Sequence, residues 1–220
     1  MPSSTSSAAA ICNRAIGHCQ LAGQIDGELA DDTSAEGMAC AEVYEALRDE
    51  LLAAHDWPWA TKQAALQLLF EVADLTEFER NDWLYCYALP SDYLKLRGLW
   101  PGMRAPSKDW QVPHAIENYS SDDVTEQTVL FTDLEASDAL PVVMRYTRQV
   151  TDVNLFPPSF VNALALRIAF EIASQVKKDH ALTDRLERRA QVALLDAIAH
   201  AKNSEQQDQP APSKYLRVRG

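Results

Sequence analysis

The 220-residue sequence contains 5 histidines and 4 cysteines, and their spacing decides what chemistry they could support. His55-Asp56 puts an imidazole beside a carboxylate, the pairing a general base and its orienting acid would use. It sits at an expected helix end, where a histidine has the simpler task of satisfying terminal carbonyls. Cys12 and Cys19 share one helical face with Ile11, Ala15 and Ile16. With His18 they could form a metal pair, but no Cys-x-x-Cys or His-x-x-x-His spacing accompanies them, and they read as small buried hydrophobes. Cys40 and Cys86 complete the set, and reduced thiols of an intracellular compartment are expected. Asp31-Asp32 and Asp122-Asp123 could hold a hard cation, yet adjacent acids in Asp/Ser/Gly loops read better as turn formers. Trp57-Pro58-Trp59 is either a binding platform or a hinge packed by two indoles. No glycine-rich phosphate loop, nucleophile elbow or zincin pattern occurs. Nothing among these residues assembles into an active site, and no metal or cofactor is expected.

The elements that must carry these residues follow from periodicity. A first helix is expected over about Ala8–Ala22, stopping at Gly23. Thr33-Ser34-Ala35-Glu36 reads as a capping box, with the Thr33 hydroxyl accepting and Glu36 reaching back. Ala39, Val43, Ala46, Leu47, Leu51 and Ala54 then form an apolar stripe, and that helix should stop at Asp56-Trp57-Pro58. The middle reads as β: Leu84–Leu89, the turn Pro90-Ser91-Asp92, Tyr93–Leu96, then Ile116–Tyr119, Thr128–Thr132 and Val142–Tyr146. Leu99–Pro113, with Trp100 and Trp110, looks like a long exposed loop. After Phe156-Pro157-Pro158-Ser159, a helical face of Phe160, Leu164, Ile168, Ile172 and Val176 is widened by alanines. A last helix, about Leu182–Lys202, turns Leu186, Ala190, Ala193, Leu194, Ala197 and Ala201 inward and Arg185, Arg188 and Arg189 outward.

The expected fold class is α+β: mainly an α-helical bundle of two N-terminal and two C-terminal helices, with a small antiparallel β insertion and an extended C-terminal arm. Its expected parts are 1–57 (helical hairpin), 58–152 (β-rich insertion), 153–203 (second hairpin) and 204–220 (arm). Within the arm, Lys214-Tyr215-Leu216-Arg217-Val218-Arg219 alternates basic or aromatic residues with aliphatic ones, a pattern suited to adding a strand onto a partner. The polar Pro/Gln spacer before it gives reach.

Charge narrows the function classes. The formal net charge is −12, with 47% hydrophobic and 24% charged residues, which fits a globular chain with a real core. Ten acids and two bases occupy 1–57, fifteen and eight 58–152, five and seven 153–203, and two and three 204–220. Such a balance argues against a protein whose main task is gripping phosphates. No apolar run is long enough to span a bilayer, and Met1–Ala10 has neither the basic nor the long apolar region of a secretory leader.

Four stretches in this order resemble the bacteriophage head-to-tail adaptor family that includes the podovirus tail tubular protein A. They are Ile11–Gly17 leading to Ile25 and an acidic loop; Tyr44–Leu52 running into His55-Asp56-Trp57-Pro58-Trp59-Ala60; Tyr85–Leu94; and Tyr146–Asp152 with Phe156, Phe160 and the Ala-rich Leu164–Ala173. The resemblance spans roughly residues 11–200, and its weight lies in order and spacing, since no stretch is a catalytic signature. It implies a structural virion protein, made in the host cytoplasm, forming a ring of usually twelve copies between the portal and the tail nozzle or next tail protein. Genomic DNA would pass through the lumen without specific binding. The helices would build the ring wall and the arm, Lys214–Arg219, would climb onto the portal. Trp100, Trp110, Arg185, Arg188 and Arg189 are then candidate subunit or tail contacts. Another connector component, a stopper or tail-completion protein, would share the ring. From another class, a small intracellular hydrolase or nucleic-acid regulator would need a site or a basic face that the sequence does not offer.

Overall fold

The computed structural model describes residues 7–72, 82–102, 112–120, 126–137, 140–176 and 179–207. Four α-helices and seven strands lie among them: α1 (Ala8–His18), α2 (Ala35–Ala54), β1 (Thr61–Ala65), β2 (Gln67–Glu71), β3 (Tyr85–Ala88), β4 (Tyr93–Pro101), β5 (His114–Ser120), β6 (Glu126–Thr132), β7 (Val142–Arg148), α3 (Pro158–Val176) and α4 (His180–Gln207). The strands form two antiparallel sheets. The expectation of a mainly helical bundle with a small β insertion is therefore incorrect: the chain is α+β with a substantial β component. The excess comes from β1 and β2, whose polar or non-alternating sequences carry little strand signal, and from β4, which extends through Pro101. The chain divides into a helical unit, Met1–Trp59 with Val150–Gly220, and a β unit, Ala60–Gln149.

In the helical unit α3 is central, and α1, α2 and α4 all pack on it. Its sequence explains why. Phe160, Leu164, Ile168 and Ile172 are fully buried on one face, and Ala163, Ala165, Ala169 and Ala173 are buried around it, so neighbouring backbones approach closely. The thiol of Cys19 donates to the Ala169 carbonyl at 3.2 Å, a direct measure of that approach. Each large aliphatic side chain buried here contributes roughly 1.5–3 kcal/mol. Pro158 opens α3 at the position where a missing N–H costs nothing.

The ends of α1 and α2 differ from expectation in instructive ways. α1 stops at His18 rather than Ala22, because Gln20 adopts a left-handed backbone (φ 56°). Leu21 N–H then donates to Ile16 O at 3.3 Å and Gln20 N–H to Gly17 O at 3.1 Å, a Schellman closure. α2 is capped by Ser34, not Thr33: Ser34 Oγ accepts from Gly37 N–H at 3.0 Å, while Asp32 accepts from both the Ser34 hydroxyl and its backbone N–H. α2 does end at Ala54, ahead of Trp57-Pro58.

In the β unit one sheet has the order β1-β7-β4 and the other β2-β3-β6-β5. β3 and β4 flank the Pro90–Asp92 turn as expected, but they join different sheets instead of pairing as a hairpin. One core is shared by both sheets: Val142, Met144, Tyr146 and Leu99 from the first, Tyr87 and Leu130 from the second, with Leu66. The second sheet also buries Cys86, Val129 and Phe131 on its other face with Val72, Phe70 and Tyr119. Burial on both faces is why Tyr85–Ala88 and Val129–Phe131 read as continuous apolar runs.

Candidate functional site

The residues that suggested chemistry are held by packing. His55 meets Trp57 edge-on at 5.2 Å, and Trp57 is buried with its indole N–H donating to Leu51 O at 2.8 Å. Trp57 and Trp59 join Phe156 and Phe160 in one aromatic cluster, with Trp57–Phe160 at 5.3 Å and Trp59–Phe160 at 5.0 Å. Of the two readings of Trp57-Pro58-Trp59, packing fits this geometry. All four cysteines are buried free thiols, as the small-hydrophobe reading expects. Cys12 is pushed far up by its hydrogen bond to Cys40 and by burial, and burial alone pushes Cys86 up to about 12. Neither is a thiolate near neutral pH, and neither suits nucleophilic or metal chemistry. His18 is held below its usual range by burial, then by Arg189 and Arg14, and its Nε2 is buried without a partner among the described residues. No cluster of three or more metal-ligating side chains occurs among the described residues.

One well-connected polar group is structural. Asp92, in the turn between β3 and β4, accepts from Lys62 Nζ at 2.7 Å and from Tyr146 Oη at 2.6 Å, and its carbonyl accepts from Gln149 N–H at 2.6 Å. Burial pushes its carboxyl up, but the Lys62 and Tyr146 hydrogen bonds outweigh that and hold it below the ordinary carboxylate range. The turn is thereby tied to β1 and β7 at once.

Surface candidates remain, and they diverge from one another. Trp100, expected on an exposed loop, lies in β4 with 4% exposure; the Arg145 guanidinium sits 5.3 Å over its ring, and its Nε1 is buried without a partner among the described residues. It is a poor subunit contact in that position. Trp110 and the arm residues Lys214, Tyr215, Leu216, Arg217, Val218 and Arg219 lie outside the described residues. Arg185, Arg188 and Arg189 are exposed on α4, as periodicity predicts, and with Asn162 and Leu166 of α3 they line an open groove of about 470 Å³. Across α4, a smaller hollow of about 260 Å³ has an apolar floor of Leu51, Ala163 and Leu194 and the Glu50–Arg167 ion pair (3.4 Å) at its rim.

Sequence reasoning missed two features of these helices. Val192 and Leu195 are 58% and 65% exposed on the arginine-bearing side of α4. The outer side of α2 carries Met38, 56% exposed, in line with Glu42 and Glu45. Helical spacing held the signal in both cases: residues 188, 192 and 195 lie opposite the buried Leu186, Ala190 and Ala193. No helix among the described residues is long and apolar enough to cross a membrane. No protein-family model and no curated protein matches the chain.

Proposed function

We propose that this protein is a structural component of a tailed-phage virion, a head-to-tail adaptor that forms a ring between the portal and the next tail protein. One observation carries the reading: the four stretches that resemble the adaptor family supply the contacts that tie each unit together across long sequence separations. Trp57 of the second stretch packs on Phe160 of the fourth at 5.3 Å, and Asp92 of the third accepts from Tyr146 of the fourth at 2.6 Å. That these stretches meet in space supports reading them as one framework.

In this reading the helical unit contributes to the ring wall, the arm, whose expected start at 204 moves to 208 because α4 runs through Gln207, reaches the portal, and DNA passes through the lumen without specific binding. The large negative charge suits that last role, since it repels the phosphate backbone instead of holding it. The protein acts by assembly, with no catalysis, metal or cofactor. The test is the mass of the assembled species with and without the portal protein of the same phage, together with a chain lacking residues 208–220. Full-length chain should load the portal with about one ring of copies, twelve in the usual case, and the shortened chain should load it poorly. A chain that never binds portal refutes the adaptor reading, and undiminished loading without 208–220 refutes the role of the arm.

A further inference from the structure

Residues 1–59 of the helical unit hold ten acids and two bases, whereas residues 150–220 hold eight acids and ten bases. The two ends of the chain fold into one unit, so an acidic pair of helices (α1 and α2, five acids and two bases) and a balanced pair (α3 and α4, five of each) lie in the same body. Each pair leaves one helix with an exposed outer side. On α4 that side is Arg185, Arg188, Arg189, Val192 and Leu195, with Asp196 as the acid of the adjoining groove. On α2 it is Met38, Ala41, Glu42, Glu45 and the half-buried Asp49, and the helix's one base, Arg48, is buried and paired with Asp49 at 2.8 Å.

We propose that the outer side of α4 docks on the outer side of α2 of a second copy of this chain. The two sides match when the helices run antiparallel. Arg185 and Arg188 then lie over Asp49 and Glu45, Arg189 comes near Glu42, and Val192 and Leu195 cover Ala41 and Met38. The parallel alignment sets Arg185 on Met38 and Leu195 on Asp49, leaving charge against hydrophobe at both ends. Val192 and Leu195 also favour a protein surface over a phosphate backbone, which would leave two large aliphatic side chains against water and anions. Because α2 and α4 are different surfaces, the contact is head-to-tail, the kind that repeats into a ring when its rotation closes. The inference rests on the ring reading above and assigns its lateral contact.

Two exposed charge reversals test it: Arg185→Glu with Arg188→Glu on α4, and Glu42→Lys with Glu45→Lys on α2. Mass photometry, with circular dichroism as the control for folding, follows the assembled fraction of each chain, free and with portal. Wild type should assemble, and each reversed chain should associate at least about tenfold more weakly, since like charges then face each other. An equal mixture of the two reversed chains should recover assembly, because each α4 again meets an α2 of opposite sign. Wild-type assembly that survives both reversals, or a mixture that fails to recover, overturns this contact while leaving the ring. A wild-type chain that never self-associates, free or on portal, overturns the contact and the ring together.

Discussion

At the scale of single residues, the chemistry-capable side chains do architectural work, and Asp92 shows how. Its carboxylate accepts from Lys62 of β1 and from the fully buried Tyr146 of β7. Asp92→Ala removes both and leaves the Tyr146 hydroxyl without its acceptor, so it should cost about 2–4 kcal/mol, read as a lowered urea midpoint. The pH dependence has a definite sign. The native carboxyl is held below its ordinary value, so its contribution is complete above the unfolded carboxylate range and is lost as pH falls through the lower native value. The gap between wild type and Asp92→Ala should therefore be widest near neutral pH and narrow in acid. A gap that stays constant as pH falls into that range would show that Asp92 acts by shape alone. Tyr146, pushed up by burial and then by Asp92, stays protonated throughout, so the narrowing belongs to the carboxyl.

At the scale of elements, what was legible is what is local. The cores of α3 and α4 were visible because each carries its own period of apolar residues, and Phe160, Leu164, Ile168 and Ile172 are buried as that period requires. On α2 the expected stripe is wrong in phase: Leu47 and Leu51 are buried, Ala46 and Ala54 are exposed, and the buried face turns toward Cys40, Tyr44 and Leu52, because scattered alanines mark no side as firmly as large side chains do. β1 and β2 were not visible, because Thr61–Ala65 and Gln67–Glu71 are edge strands whose register comes from β7 and β3 far along the chain. Helix ends fall between these cases. Ser34 and Thr33 are chemically equivalent caps, and the choice depends on Asp32, which holds both the Ser34 hydroxyl and its N–H. Ser34→Ala should thus cost about 1 kcal/mol, and Thr33→Ala close to nothing, in paired thermal melts. Equal losses would return the cap to Thr33. At the other helix end, Gln20 adopts a left-handed backbone suited to glycine. Gln20→Gly should raise stability by about 0.5–1 kcal/mol, the relief of that conformation less the entropy a glycine adds to the unfolded chain. The arginines of α4 were equally legible, but Val192 and Leu195 became meaningful only once burial showed which side of the helix was left open.

At the scale of the whole molecule, folding rearranges the charge. Along the chain, the first 152 residues are strongly acidic and the remainder mildly basic. In the fold, the acidic start and the basic end share one unit, and Ala60–Gln149 carries fourteen acids against eight bases, so each unit has a net charge of −6. Two copies of this chain therefore repel at long range while the α4 and α2 surfaces attract at short range. Salt separates the two effects. At 0.01 M the Debye length is about 30 Å and the repulsion between −12 molecules operates in full; at 0.15 M it is about 8 Å, and contact pairs still interact while distant charges do not. Self-association at fixed protein concentration should accordingly rise from 0.01 M to about 0.15 M and fall again toward 1 M, where the Debye length of about 3 Å screens the contact pairs as well. Sedimentation across that series distinguishes the cases. A continuous rise means that apolar burial alone holds the copies together, and a continuous fall means that the contact pairs dominate at every distance. In the Arg185→Glu, Arg188→Glu chain the contact attraction has become repulsion, so what association remains should climb with salt and show no maximum.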